Sequence, residues 1–351
     1  MINGGCLMFR RLGLAAFVLA VIPTFIWQPG AGAAAASYVA LGDSYASGTG
    51  TRTYINDGTS CQRSVYAYPS LIASAKGYAL NFRACSGAKV PDVTGQLSAL
   101  STSTKYVTLS VGGNDAGFTS VLTECALPAW ASNCSGKVTT AQNYIKNTLP
   151  GTLSTLYASI KSKAPSAKVV VIGYPRIFNG EDCNALTWFS PDDESRLNAT
   201  ADLINSKISA AAAAKGFGFV SPVSAFIGHA VCDNPEWLNG LSNPISESYH
   251  PNKLGHSSGY TPLVSPKLVG AAVAVNAAVK AEAAASAGKL ATQQRTYAAK
   301  DAKIKPEVFR APDLNSPAVR AAAKRAGVDL NSRASIDRVD REYAAAQAKA
   351  R

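Results

Sequence analysis

Tyr38-Val39-Ala40-Leu41-Gly42-Asp43-Ser44-Tyr45 is the stretch on which the reading of this chain turns. Its first four residues form a short apolar run of the kind that makes a buried strand. The run then breaks into a glycine, an acid and a serine. A strand that ends in such a turn just before a helix leaves the serine hydroxyl at the carboxyl edge of a sheet, where open α/β folds place their ligands. Gly-Asp-Ser is also ordinary turn punctuation. Three further stretches downstream give it company: Ser86-Gly87, Gly112-Gly113-Asn114-Asp115 and His250-Pro251-Asn252.

Working outward, strand-like runs recur at Tyr38–Leu41, Ala79–Arg83, Tyr106–Val111, Lys168–Gly173 and Phe217–Ser221. Segments with helical spacing lie between and after them, at about 65–76, 138–162, 192–215 and 255–284. Parallel strands need a crossover, so strands alternating with helices predict a parallel α/β sheet. Pro69 leaves the start of the first helix open. Residues 119–137 and 179–190 carry cysteines and little periodicity and are expected to be stapled loops. Trp188-Phe189 in the second of these could line a groove or simply pack.

Nucleophilic acyl transfer needs a hydroxyl, a base to take its proton, and donors for the oxyanion. The whole chain has three histidines, His229, His250 and His256. His250 falls in a loop between the last strand and a helical segment, from which a side chain can reach the sheet edge. His256 fits the first turn of the following helix and reads as structural. His229 sits beside Cys232 with no motif around it. His250 is therefore the expected base. Gly87 follows the second strand, where a glycine lets the backbone approach a ligand closely. Asn114 follows the third, and its amide can direct a donor at a developing negative charge. Asp43 and Asp115 read as braces of their turns.

These four motifs, in this order, resemble the secreted GDSL-type (SGNH) hydrolases, above all actinobacterial lipases and esterases of the Streptomyces type, over roughly residues 37–275. The resemblance implies a flavodoxin-like three-layer α/β/α sandwich around a parallel five-stranded sheet. It implies Ser44 as nucleophile and oxyanion donor, Gly87 and Asn114 as further donors, and His250 as general base and then acid. The family usually has an aspartate three residues before the histidine, and this chain has Glu247. Some actinobacterial members orient the histidine through a backbone carbonyl instead, here that of Ser248. The Ser248 carbonyl, giving a Ser–His dyad, is the favoured reading, with Glu247 kept as the alternative orienter.

Residues 1–36 read as a secretion signal: Arg10-Arg11, an apolar run from Leu12 to Trp27, and a small-residue zone ending at Ala36. Cys6 would leave with it. That leaves Cys61, Cys85, Cys125, Cys134, Cys183 and Cys232, and an even count in an exported chain implies disulfides. The sequence does not choose among the pairings. The sequential one, 61–85, 125–134 and 183–232, is simplest and agrees with the resemblance. Metal-ligand spacing is lacking, and no metal or organic cofactor is implied.

Net charge is +12, which invites a nucleic-acid reading. Its distribution argues against one: +3 over residues 37–279, which carry all the candidate chemistry, and +7 over 280–351. From residue 280 the apolar content is nearly all alanine, which buries too little surface to offset ordering entropy. Residues 280–351 are therefore expected to be a flexible or marginally helical extension outside the hydrolase domain at 37–279. The expected function is a secreted, monomeric serine esterase or lipase acting on lipid esters. The alternatives are a carbohydrate acetylesterase of the same fold and a non-catalytic cell-surface or polysaccharide-binding protein. The first turn lacks the Gly-rich phosphate fingerprint of a flavodoxin-like cofactor binder.

Overall fold

A computed structural model describes residues 1–5, 8 and 34–349. The features read as a secretion signal, Cys6, Arg10-Arg11 and the apolar run, lie outside the described residues. Five strands form one parallel sheet: β1 (Ser37–Gly42), β2 (Ala79–Phe82), β3 (Tyr106–Ser110), β4 (Lys168–Ile172) and β5 (Gly218–Val220), in the order β2-β1-β3-β4-β5. Val39 pairs with Val107 and Leu109 with Val171 on one face, and Ala40 with Phe82 and Thr108 with Val170 on the other, so both faces of the sheet carry buried side chains. That is what a parallel sheet covered on two sides requires, and why these strands read as near-continuous apolar runs.

Thirteen α-helices follow one another among the described residues. In the body of the fold these are α1 (Ser44–Ser47), α2 (Tyr68–Lys76), α3 (Val90–Gln96), α4 (Phe118–Cys125), α5 (Cys134–Asn147), α6 (Leu149–Lys163), α7 (Pro191–Ala213) and α8 (Thr261–Val269). Helices α3, α5, α6 and α7 pack together on one face of the sheet, and α2 and α8 on the other. The result is the three-layer α/β/α sandwich. In this strand order the chain reverses direction across the sheet between β1 and β3, and the crevice beyond their carboxyl ends is where such folds bind ligands.

Local expectations need adjusting in several places. Pro69 sits in the first turn of α2, where its missing N–H has no intrahelical partner to lose. Residues 119–137 are largely helical, with Cys125 ending α4 and Cys134 opening α5. The helix expected over 255–284 is broken into a π-turn at Gly255–Tyr260, α8, and α9 (Ala277–Ala285), with Gly270 in left-handed conformation closing α8. The cysteines pair sequentially, Cys61–Cys85, Cys125–Cys134 and Cys183–Cys232.

The largest difference lies in the extension. Residues 35–351 group as one compact unit, and the boundary expected at 279/280 falls inside α9. Helices α10 (Ala287–Arg295), α11 (Ala298–Asp301), α12 (Pro317–Ala326) and α13 (Arg333–Lys349) follow. Helix α10 lies against β2, so it covers an otherwise open sheet edge. Asp301 is buried between Arg63 and Arg83, accepting at 2.5 Å and 2.6 Å from their guanidinium groups. Arg63 also pairs with Asp57, and Arg83 with Gln294. Farther on, Val319, Ile336 and Val339 pack with Trp130 and Trp188 in a second apolar cluster. The extension is thus held by a few buried ionic and aromatic contacts, which alanine content conceals.

Candidate active site

Ser44 stands at the first position of α1, immediately beyond β1, and is about 6% exposed. Gly42, at φ +123°, makes the turn, and a Cβ there would collide with the backbone of Ser110 on β3. The Gln96 side chain holds both backbone groups of Gly42: its Oε1 accepts from the Gly42 N–H (2.8 Å), and its Nε2 donates to the Gly42 carbonyl (3.0 Å). Asp43 caps α1, accepting from the Tyr45 N–H and the Ser110 hydroxyl through Oδ1 and from the Tyr174 hydroxyl at 2.5 Å through Oδ2. Burial pushes the Asp43 carboxyl up to about 6, and those hydrogen bonds hold it from rising further. Asp43 braces the turn, as expected, and Asp115 does likewise by accepting from the Val90 N–H.

His250 reaches Ser44 from 206 residues farther along the chain. Its Nε2 lies 2.8 Å from Ser44 Oγ, and its Nδ1 lies 2.9 Å from the Ser248 carbonyl oxygen. Since a carbonyl only accepts, Nδ1 carries the proton and Nε2 is the acceptor facing the serine. Burial lowers the imidazole to about 4, against the opposing pull of the Ser248 carbonyl. The ring is therefore neutral at ordinary pH and able to take a proton. Its loop is fixed by Asn239, which exchanges backbone bonds with Tyr249 and His250 and donates its amide to Gly50 and Glu247 carbonyls. Tyr249 sits at φ +61°, an uncommon conformation for a bulky residue and one concentrated at functional sites.

Glu247 does not touch the imidazole. Its buried carboxylate accepts from the Tyr54 hydroxyl at 2.6 Å and lies 3.4 Å from Arg52. The Ser248 carbonyl, the favoured orienter, is the group that holds Nδ1, and the alternative, Glu247, is turned by the loop toward the segment at 52–54. His256 is buried against Tyr68, its Nδ1 accepting from the Tyr68 N–H. His229 stacks on Trp237. Neither approaches Ser44 as His250 does.

Gly87, at φ +82°, and Asn114 lie beside Ser44 around the same cavity. The Ser44 and Gly87 N–H groups have no protein acceptor among the described residues. Asn114 donates one amide hydrogen to the Ala88 carbonyl at 3.1 Å, which leaves the other. The cavity, about 360 Å³, runs from these polar groups into an apolar chamber walled by Phe118, Val121, Ile145, Leu197 and Ile204. Such a site sets a hydroxyl and a proton acceptor beside uncommitted N–H donors at the mouth of an apolar slot.

Trp188 and Phe189 do not line this cavity. Trp188 donates to Asp337 of α13, and Phe189 packs on Phe178 and Tyr249. Sequence reasoning missed Gln96, Asn239 and Tyr174. Tyr174 lies two residues past β4, so the same sheet-edge rule that singled out Ser44 and Asn114 could have flagged it. Among the described residues, the one cluster with metal-ligand reach is Cys183, Cys232 and Glu236, and its sulfurs are joined in a disulfide. No helix among them is long and apolar enough to cross a membrane.

Residues 40–257 match the GDSL-like Lipase/Acylhydrolase family. Lipase 1 of Streptomyces coelicolor is 44% identical over 237 residues, covering 66% of this chain and 87% of that protein. The crystal structure of an extracellular lipase from Streptomyces rimosus aligns with a TM-score of 0.63 at 40% identity, over 66% of this chain and 100% of that one. A phospholipase A1 from Streptomyces albidoflavus NA297 aligns with the same TM-score at 43% identity, over 67% of this chain and 100% of its own.

Proposed function

Because this chain belongs to the GDSL-like lipase/acylhydrolase family and is a carboxylic ester hydrolase, we propose that it works through a Ser44–His250 dyad on lipid esters outside the cell. The observation that carries this reading is the 2.8 Å contact between Ser44 Oγ and His250 Nε2 at the mouth of an apolar chamber. In the reaction, His250 takes the Ser44 proton as Oγ attacks the ester carbonyl. The oxyanion that forms is met by the N–H groups of Ser44 and Gly87 and by the Asn114 amide. His250 then gives its proton to the leaving alcohol, and the acyl-enzyme is hydrolysed by water activated by the same imidazole. The Ser248 carbonyl holds the imidazole in the required tautomer throughout.

The apolar chamber favours acyl chains over acetyl groups, which supports lipid esters above acetylated sugars. Relatives named as lipases and as a phospholipase A1 point the same way. Three disulfides and a relative described as extracellular support secretion. The test is hydrolysis of p-nitrophenyl butyrate by the folded protein beside Ser44→Ala and His250→Ala. Both substitutions should cut kcat by at least ~10³-fold, since paired nucleophile and base act as a unit. A wild type that hydrolyses no ester, or a variant that keeps its rate, would remove the assignment.

A further inference from the structure

The extension does more than dock on the hydrolase fold. Between α11 and α12 the chain runs without regular structure from residue 302 to 316, and its middle crosses the cavity that holds Ser44 and His250. Pro306, Glu307 and Val308 line that cavity. Pro306 lies against Gly87 so closely that a Cβ on Gly87 would run into the proline backbone.

The crossing is tied at several points. Upstream it is fixed by Asp301 between Arg63 and Arg83 and by buried Ile304. At the near rim Glu307 pairs with Lys89 at 3.2 Å. At the far rim the Arg310 N–H donates to Thr123 of α4, and the buried Phe309 ring meets Tyr249, the neighbour of His250, at 4.9 Å between centroids. Downstream, α12 and α13 are held by the cluster around Trp130 and Trp188. All of these extension residues lie beyond 40–257, the part of the chain shared with the family.

We propose that residues 304–309 form the roof of the ester site and set its substrate specificity, confining it to esters with a single slender chain. This rests on the esterase reading of the same site. With the roof in place, the space beside Ser44 is about 360 Å³, near the lower end of the range for small-molecule sites. The family scaffold alone does not supply that boundary. Pro306, Glu307 and Val308 do, and they stand on the side of Gly87, where the oxyanion and the ester's alcohol portion must both be accommodated.

The experiment compares kcat/KM for p-nitrophenyl butyrate with kcat/KM for didecanoyl phosphatidylcholine in mixed micelles. It uses the full chain and its Pro306→Gly and Phe309→Ala variants. Pro306→Gly frees the roof's backbone at the half-buried position that presses on Gly87, and Phe309→Ala removes the far anchor. Circular dichroism and thermal midpoints verify that each is folded. Phe309 touches Tyr249, so both rates can fall, and the readout is their ratio. The ratio of two-chain to butyrate activity should rise at least tenfold in each variant. An unchanged ratio in Pro306→Gly, or a wild type that already uses both esters equally well, overturns the roof while leaving the esterase reading intact. A wild type inert on both esters overturns both.

Discussion

His250 Nδ1 lies 2.9 Å from the Ser248 carbonyl oxygen, while the carboxylate of Glu247, its near neighbour in sequence, is bound to Tyr54. Imidazole orientation here rests on a backbone dipole, which cannot be removed by a side-chain substitution. Where a carboxylate orients the histidine, its loss costs about 10⁴ in kcat. Glu247→Gln should therefore leave kcat on p-nitrophenyl butyrate within about tenfold, keep the Tyr54 hydrogen bond through its amide oxygen, and lose only the charge facing the exposed Arg52. A fall approaching 10⁴ with the fold intact would restore Glu247 to the catalytic set.

The buried imidazole also sets the acid limb of activity. Its charged form is disfavoured by desolvation, so its folded value is lowered to about 4. The base must be neutral to accept the Ser44 proton, and it is neutral above that value. kcat/KM should then hold down through pH 6 and fall as pH drops through about 4, where an exposed histidine would already have lost activity near 6.5. Profiles measured with brief exposure, followed by return to neutral pH, separate titration from acid unfolding.

Parts of this architecture were open to sequence reading, for identifiable reasons. Strands β1, β3 and β4 are buried on both faces and so appear as near-continuous apolar runs. Ser44, Gly87 and Asn114 each follow a strand, and His250 is one of three histidines, so placement and scarcity marked them. Gln96, Tyr174 and Asn239 act through side-chain bonds to residues 54, 131 and 189 positions away in the chain, and no local pattern encodes such a reach. Apolar content alone misreads the extension. Its docking depends on Asp301 meeting two buried arginines, a relation visible only once the chain is folded.

Asn114 offers a test of the oxyanion site that is separate from the nucleophile. Its amide stands beside Ser44 with one hydrogen uncommitted. A donor aimed at the oxyanion contributes mainly in the transition state, so its loss lowers kcat more than it raises KM. Asn114→Ala should reduce kcat by about 10²–10³-fold with KM changed only a few-fold. If KM rises while kcat is kept, Asn114 is a ground-state contact and the oxyanion site lacks its side-chain donor.

Asp301 carries the coupling between the extension and the hydrolase fold. It is the acid shared by Arg63 and Arg83, and all three side chains are 1% exposed or less. In Asp301→Asn, Arg63 keeps the carboxylate of Asp57 but Arg83 loses its carboxylate partner, with Gln294 and the face of Tyr297 beside it. Removing one partner from a buried ionic network strands charge in a low-dielectric interior and typically costs about 3–5 kcal/mol. Guanidinium unfolding should show a loss of that order, with an earlier midpoint. Because the segment at 302–316 begins one residue later, limited proteolysis should cut there sooner than in the wild type, before the sheet core is attacked. If the midpoint stays put and the segment remains protected, the cluster around Trp130 and Trp188 holds the extension by itself, and the buried acid serves only to neutralise the two arginines.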